Sequence, residues 1–216
     1  QWRDGPLLAA LKTPNTWILL DELNLAPQSV LEGLNAILDH RGEVYIPELN
    51  KTFKLNQQTR IFATQNPLRQ GGGRKGLPQS FLNRFTKVYL RKLEESDLTH
   101  VMSHNFDVLE RNDLLRDFKL IDRMVAFSNR VELGIINHEF GYRGGPFEAN
   151  LRDMLRWCEL LTNPKTGYDV IKCERLEEFL LILFEKMKLV YCQRMRSESD
   201  VQHIFSIFKE IFQVNV

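Results

Sequence analysis

The chain has 216 residues, 43% of them hydrophobic and 26% charged. That is an ordinary globular balance, with enough apolar material for one large domain or two small ones. The longest apolar run, Phe179 to Phe184, is too short to span a bilayer, and the start, Gln1-Trp2-Arg3-Asp4-Gly5-Pro6, has neither a signal-peptide pattern nor an initiator Met, reading instead as the cut end of something larger. Cys158, Cys173 and Cys192 are an odd number at long spacing with no partner at metal-ligand distance, which suits thiols in a reducing compartment and not a disulfide framework or a zinc site. Secreted, membrane-embedded, disordered and metal-finger classes do not fit.

The net charge of +1 conceals an uneven distribution. Residues 49–93 hold ten Lys and Arg and no Asp or Glu, whereas 1–48 and 94–216 carry net charges of −4 and −5. A stretch of that kind is expected to face an anion or an acidic neighbour.

In chain order, Trp17-Ile18-Leu19-Leu20 reads as a buried parallel strand ending in Asp21-Glu22. Pro27 opens a helix whose apolar positions are Val30, Leu31, Leu34, Ile37 and Leu38, closed by Gly42. Glu43 to Ile46 and Lys51 to Leu55 form the arms of a predicted hairpin. A second buried strand, 59–64, ends in Gln65-Asn66-Pro67. After the Gly71-Gly72-Gly73 loop, Pro78 starts a short helix through Asn83-Arg84, and Thr86 to Leu90 is a third predicted strand. Strand, helix and strand at these lengths indicate an α/β layered fold. From Glu94 onward the pattern is helical, near 96–109, 111–131, 147–162, 174–195 and 199–213, with a core stripe at Leu176, Phe179, Leu180, Leu183, Met187 and Val190.

An apolar strand that ends in adjacent carboxylates can offer Asp21 to a hydrated Mg²⁺ ion and Glu22 to an attacking water. Alone the signal is weak, since strands often end at solvated acidic turns. The second strand sharpens it, because Asn66 is a neutral amide able to orient a water without adding negative charge. Arg84 and Arg152 then supply cations of the kind that phosphoryl chemistry needs.

Three segments taken together, Trp17-Ile-Leu-Leu-Asp-Glu-Leu-Asn-Leu-Ala-Pro27, Ile61-Phe-Ala-Thr-Gln-Asn-Pro67 and Leu77-Pro-Gln-Ser-Phe-Leu-Asn-Arg-Phe85, resemble the AAA+ ATPases of the midasin, dynein and MoxR-like group. Phe147-Glu-Ala-Asn-Leu-Arg-Asp-Met-Leu-Arg-Trp157 resembles the lid-helix motif of the midasin family, which gives the closest likeness, from the first residues to about Arg196.

The resemblance implies the C-terminal part of an AAA+ αβα sandwich, with its third, fourth and fifth strands in a parallel sheet over 1–93 and an all-helical lid over 94–216. It implies ATP and Mg²⁺ as substrate and metal, with Asp21 as the Walker B magnesium residue, Glu22 as catalytic base, Asn66 as sensor 1, Arg84 as arginine finger and Arg152 as sensor 2. The implied partners are neighbouring AAA+ modules of the same chain in a pseudo-hexameric ring, and pre-60S ribosomal particles from which assembly factors are removed, in the nucleolus and nucleoplasm. Contact with RNA through the basic 49–93 stretch fits such a role, although Phe53, Phe62, Phe81 and Phe85 are spaced like core positions. A degenerate module serving as a scaffold is the other reading.

No Gly-x-x-x-x-Gly-Lys-Ser/Thr loop occurs in the chain. Gly71 to Gly76 lacks the Ser or Thr, and proline follows almost at once. The expectation is that this phosphate cradle belongs upstream of Gln1, that the isolated chain is inactive, and that its strand edges depend on upstream sequence for stable pairing.

Overall fold

The computed structural model describes residues 2–66, 75–145, 147–163, 165 and 170–214. Two compact units divide at Leu90/Arg91, and each is described by itself.

The first unit begins with α1 (Pro6–Lys12), to which the sequence reading assigned nothing. Proline in its first turn lacks only an N–H that no helix start can use, and Leu8 and Leu11 turn inward. Lys12 pairs with Asp4, whose carboxyl the ammonium holds below its ordinary range, with the Trp2 indole N–H donating to the same carboxylate at 2.7 Å. Next come β1 (Trp17–Leu20), α2 (Gln28–Leu38), β2 (Glu43–Ile46), β3 (Lys51–Lys54), β4 (Arg60–Ala63) and the single-turn α3 (Gln79–Leu82). Strands β1 and β4 pair in parallel, with Trp17 opposite Arg60 and Leu20 opposite Ala63. Strands β2 and β3 form the expected antiparallel hairpin. Its entry is fixed by Asp39, which accepts from the Arg41 main chain at 2.8 Å and from its guanidinium at 2.7 Å. The guanidinium holds the Asp39 carboxyl at about 2. Ile18, Leu31, Leu34, Ile37 and Phe81 make the core of this unit.

Two sequence expectations need correction. The strand 17–20 is not buried on both faces: Ile18 is inside, but Trp17 and Leu19 are 75% and 64% exposed, and Phe62 of β4 shares their side, its ring 5.3 Å from that of Trp17. A continuous apolar run marks two buried faces only where both are covered, and here α2 and α3 contribute to one. The stretch 86–90, expected as a third strand, joins no ladder among the described residues, and Val88, Tyr89 and Leu90 are exposed. A β conformation is held by partners across the ladder, and none of the described residues supplies one.

The second unit is helical: α4 (Glu95–Asn105), α5 (Asp107–Arg111), α6 (Asp113–Asp117), α7 (Leu120–Ile136), α8 (Leu151–Thr162), α9 (Leu176–Met187) and α10 (Glu198–Phe212). A π-helical turn, Lys188–Cys192, continues α9. Helix starts are well marked. Glu94 with Asp97 and Asn150 with Asp153 form capping boxes, and Ser197 caps α10. Trp157, Phe127, Tyr191, Phe208 and Phe212 interlock at the centre, Phe208 and Phe212 stacked at 4.4 Å and the other pairs edge to face or tilted, with ring centroids up to 6.5 Å apart. The Trp157 indole N–H donates to the Leu183 carbonyl at 3.1 Å, so its one polar atom is satisfied in the core. Gly134 exists for contact: a Cβ there would stand 2.3 Å from the Phe140 ring. The buried Asp153 carboxylate, besides capping α8, meets the Arg194 guanidinium at 2.9 Å, and Arg194 also donates to the Glu148 carbonyl at 2.8 Å. This pair ties the start of α8 to the turn that follows the π-helix.

Candidate active site

Parallel pairing brings the C-terminal ends of β1 and β4 side by side, so whatever follows each strand is presented at one sheet edge. Asp21 and Glu22 follow β1, and Thr64, Gln65 and Asn66 follow β4. The Asn66 Nδ2 donates to Glu22 Oε1 at 3.4 Å, and the Thr64 hydroxyl donates to Asp21 Oδ1. The chain bends sharply at Glu22, which adopts left-handed φ 51° and ψ 44°. That conformation is uncommon for a residue with a Cβ and tends to collect at functional sites. Asp21 is exposed and Glu22 half-buried.

Of the five residues singled out in the sequence, Asp21, Glu22 and Asn66 are thus brought together. Arg84 is exposed in the turn after α3; its main-chain N–H donates to the Phe81 carbonyl at 3.1 Å, while its guanidinium has no partner among the described residues. Arg152 stands in the second unit, exposed in the first turn of α8; its main-chain N–H is held by the Asn150 side chain at 3.0 Å, while its guanidinium has no partner among the described residues. Pro67, Arg69, Gly71 to Gly73, Arg74 and Pro146 lie outside the described residues.

Sequence reasoning missed two participants. Asn24 is 2% exposed; its Nδ2 donates to the Asn66 carbonyl at 2.9 Å and its main-chain carbonyl accepts from the Lys75 N–H at 3.0 Å. Thr64 is the other, bonded to both residues of the carboxylate pair. For Thr64 the signal is its place directly after β4, which means something only once the register sets Leu20 opposite Ala63. For Asn24 there is none, because its role depends on a turn whose path a sequence does not reveal.

The donor set at the strand ends is carboxylate, amide and hydroxyl oxygen. Hard oxygen ligands at an exposed carboxylate fit Mg²⁺, which keeps much of its water and takes one or two carboxylates from a protein. Asp21 would hold it. Two carboxylates and a neutral amide at one edge can hold a hydrated cation, orient a water and accept a proton.

A family model described as the midasin AAA lid domain matches residues 97–215, and one described as an AAA domain of the dynein-related subfamily matches residues 1–85. The chain is 46% identical over 213 residues to midasin of Dictyostelium discoideum, which covers 98% of the chain and 3% of that protein. It is 43% identical over 184 residues to midasin of Giardia intestinalis, with 85% and 4% covered. An uncharacterized protein of Staphylococcus aureus is 25% identical over 164 residues, 74% of the chain and 55% of that protein. The chain therefore spans a few per cent of the length of these midasin relatives.

Proposed function

The chain belongs to the midasin family of AAA+ proteins, and from that premise we propose that it supplies the Walker B edge, sensor 1, arginine finger and lid of an ATP-hydrolysing module. The observation that carries this reading is the meeting of Glu22 with Asn66 at 3.4 Å beside Asp21, at the end of a parallel strand pair. Asp21 would hold Mg²⁺. When bound, the ion supplies positive charge against phosphate oxygens. Glu22 orients the attacking water and takes its proton, while Asn66 fixes the Glu22 carboxylate and the water beside it.

Arg84 serves the nucleotide of the neighbouring module in a ring. An exposed guanidinium that no described carboxylate neutralises is suited to two phosphate oxygens at once. Arg152, at the start of the lid helix α8, serves as sensor 2. In the wider reading the whole protein removes assembly factors from pre-60S particles in the nucleus. Family membership supports it, and within the first unit the exposed cations Lys51, Lys75 and Lys87 are available to RNA phosphates. Such a surface would give RNA affinity that falls with salt in proportion to the phosphates neutralised.

The test is Glu22→Gln in the full-length protein. Nucleotide binding is retained and turnover by this module falls at least about tenfold, within the range for loss of a general base. Unchanged turnover would place the base elsewhere or make the module a silent scaffold.

A further inference from the structure

The carboxylate pair and the amide account for the chemistry at the strand ends, but they do not account for the geometry of the bend between them. Thr64 does. Its hydroxyl donates to Asp21 Oδ1 and accepts from the Glu22 main-chain N–H at 3.1 Å. One hydroxyl has a single proton to give and lone pairs to receive, and both capacities are used here, on consecutive residues of the neighbouring strand end. The Thr64 main chain grips the same bend from both sides: its N–H donates to the Leu20 carbonyl at 3.0 Å, and its carbonyl accepts from the Leu23 N–H at 2.9 Å. The segment so bracketed, Leu20 to Leu23, contains the left-handed Glu22. A non-glycine residue in that region holds its conformation only when its surroundings impose it.

We propose that Thr64 is a positioning residue for the Walker B pair, fixing the rotation of the Asp21 carboxylate through its hydroxyl and holding the Glu22 backbone in the left-handed turn that aims its side chain at Asn66. With Oδ1 engaged by the hydroxyl, Asp21 presents Oδ2 in one orientation to a hydrated cation. The sequence permits this because threonine is the residue that combines strand preference with a hydroxyl on Cβ; valine has nearly the same shape and neither hydrogen-bonding capacity. The inference rests on Asp21 as the magnesium residue and Glu22 as the base.

Thr64→Val and Thr64→Ser in the full-length protein, beside Glu22→Gln and Asp21→Asn, test it with two readouts besides turnover. The first is binding of a fluorescent ATP analogue as a function of free Mg²⁺. Thr64→Val raises the Mg²⁺ needed for half-maximal binding by roughly tenfold, the low end for loss of a residue that orients a metal-binding carboxylate, and Thr64→Ser restores the wild-type requirement. The second is hydrogen–deuterium exchange, without nucleotide, in peptides spanning residues 20–24: exchange at Glu22 quickens about fivefold in Thr64→Val, what one hydrogen bond supports, and returns in Thr64→Ser. Thr64→Ala stands in should the valine variant fail to fold. Equal behaviour of Val and Ser variants overturns the inference, whether both match wild type or both fall with a common loss of melting temperature. A defect in Glu22→Gln and Asp21→Asn with wild-type behaviour of Thr64→Val overturns it alone. Wild-type turnover and Mg²⁺ requirement in Glu22→Gln and Asp21→Asn overturn the site reading itself, and this inference with it.

Discussion

The two units bury apolar side chains to very different degrees. In residues 91–216 Met102, Leu115, Met124, Phe127, Trp157, Leu161, Phe179, Leu183, Met187, Tyr191, Ile204 and Phe208 are all fully inaccessible, whereas in residues 1–90 Phe81 alone among the described residues reaches that state. The first unit also leaves Trp17, Leu19, Phe62, Val88, Tyr89 and Leu90 in solvent. A helix satisfies its main chain within itself and needs neighbours only for its apolar stripe, so a handful of helices can close a core. A strand needs neighbours on both edges and covering layers on both faces. The helical unit closes its own core, whereas among the described residues the strand pair keeps one face open.

This contrast can be broken most forcefully at the centre of the lid. Trp157→Ala removes a fully buried indole that packs on Phe127, Tyr191, Phe208 and Phe212 and donates to Leu183. It should cost about 3–5 kcal/mol, read by denaturant unfolding followed through far-ultraviolet circular dichroism. A loss below about 1 kcal/mol would mean that the lid core is loosely packed after all.

Thiol chemistry probes the same packing more gently. Burial pushes the Cys158 thiol up and carries Cys192 to about 12, so both stay protonated and shielded at pH 8, while Cys173 is part-exposed. Iodoacetamide at that pH should label Cys173 alone in the native chain and all three cysteines in denaturant, counted by mass spectrometry. The sign of the linkage follows. A thiol whose folded pKa is raised contributes its full stability below the ordinary thiol value, and the contribution is lost as pH rises through the folded value. For Cys192 that window runs from about 9 to about 12, so lid stability should decline across it.

The smallest effect is expected on the open face of the strand pair. Leu19→Ser replaces a largely exposed leucine and should leave the stability of this chain within about 0.5 kcal/mol, while reducing self-association seen by light scattering. A loss of several kcal/mol would show that the face is covered in solution.

The same contrast governs how much the sequence disclosed. Helical stripes announce themselves, and Leu176 to Val190 was legible because about four turns of apolar spacing leave little choice. The hairpin and the parallel pair were legible too, and with them Asp21, Glu22 and Asn66 as a cluster, since strand ends in a parallel sheet gather at one edge. What escaped depended on partners, not on local pattern. The exposure of Trp17 and Leu19 turns on what lies over the sheet, and the failure of 86–90 to form a strand turns on what lies beside it. Thr64 escaped because its significance appears only once Leu20 is set opposite Ala63, which places Asp21 next to it. Helix α1 was overlooked although Pro6, Leu8 and Leu11 carried its signature, the run being too brief to stand out.

The left-handed backbone at Glu22 carries a consequence for how this module can drift. An L-residue there bears a conformational penalty on the order of 1 kcal/mol that glycine escapes and asparagine largely tolerates. Replacing Glu22 by either one relaxes the bend and removes the carboxylate in a single substitution. On the role proposed for Glu22, loss of the base and relief of the backbone penalty would be one event, set against loss of the contact with Asn66 at 3.4 Å.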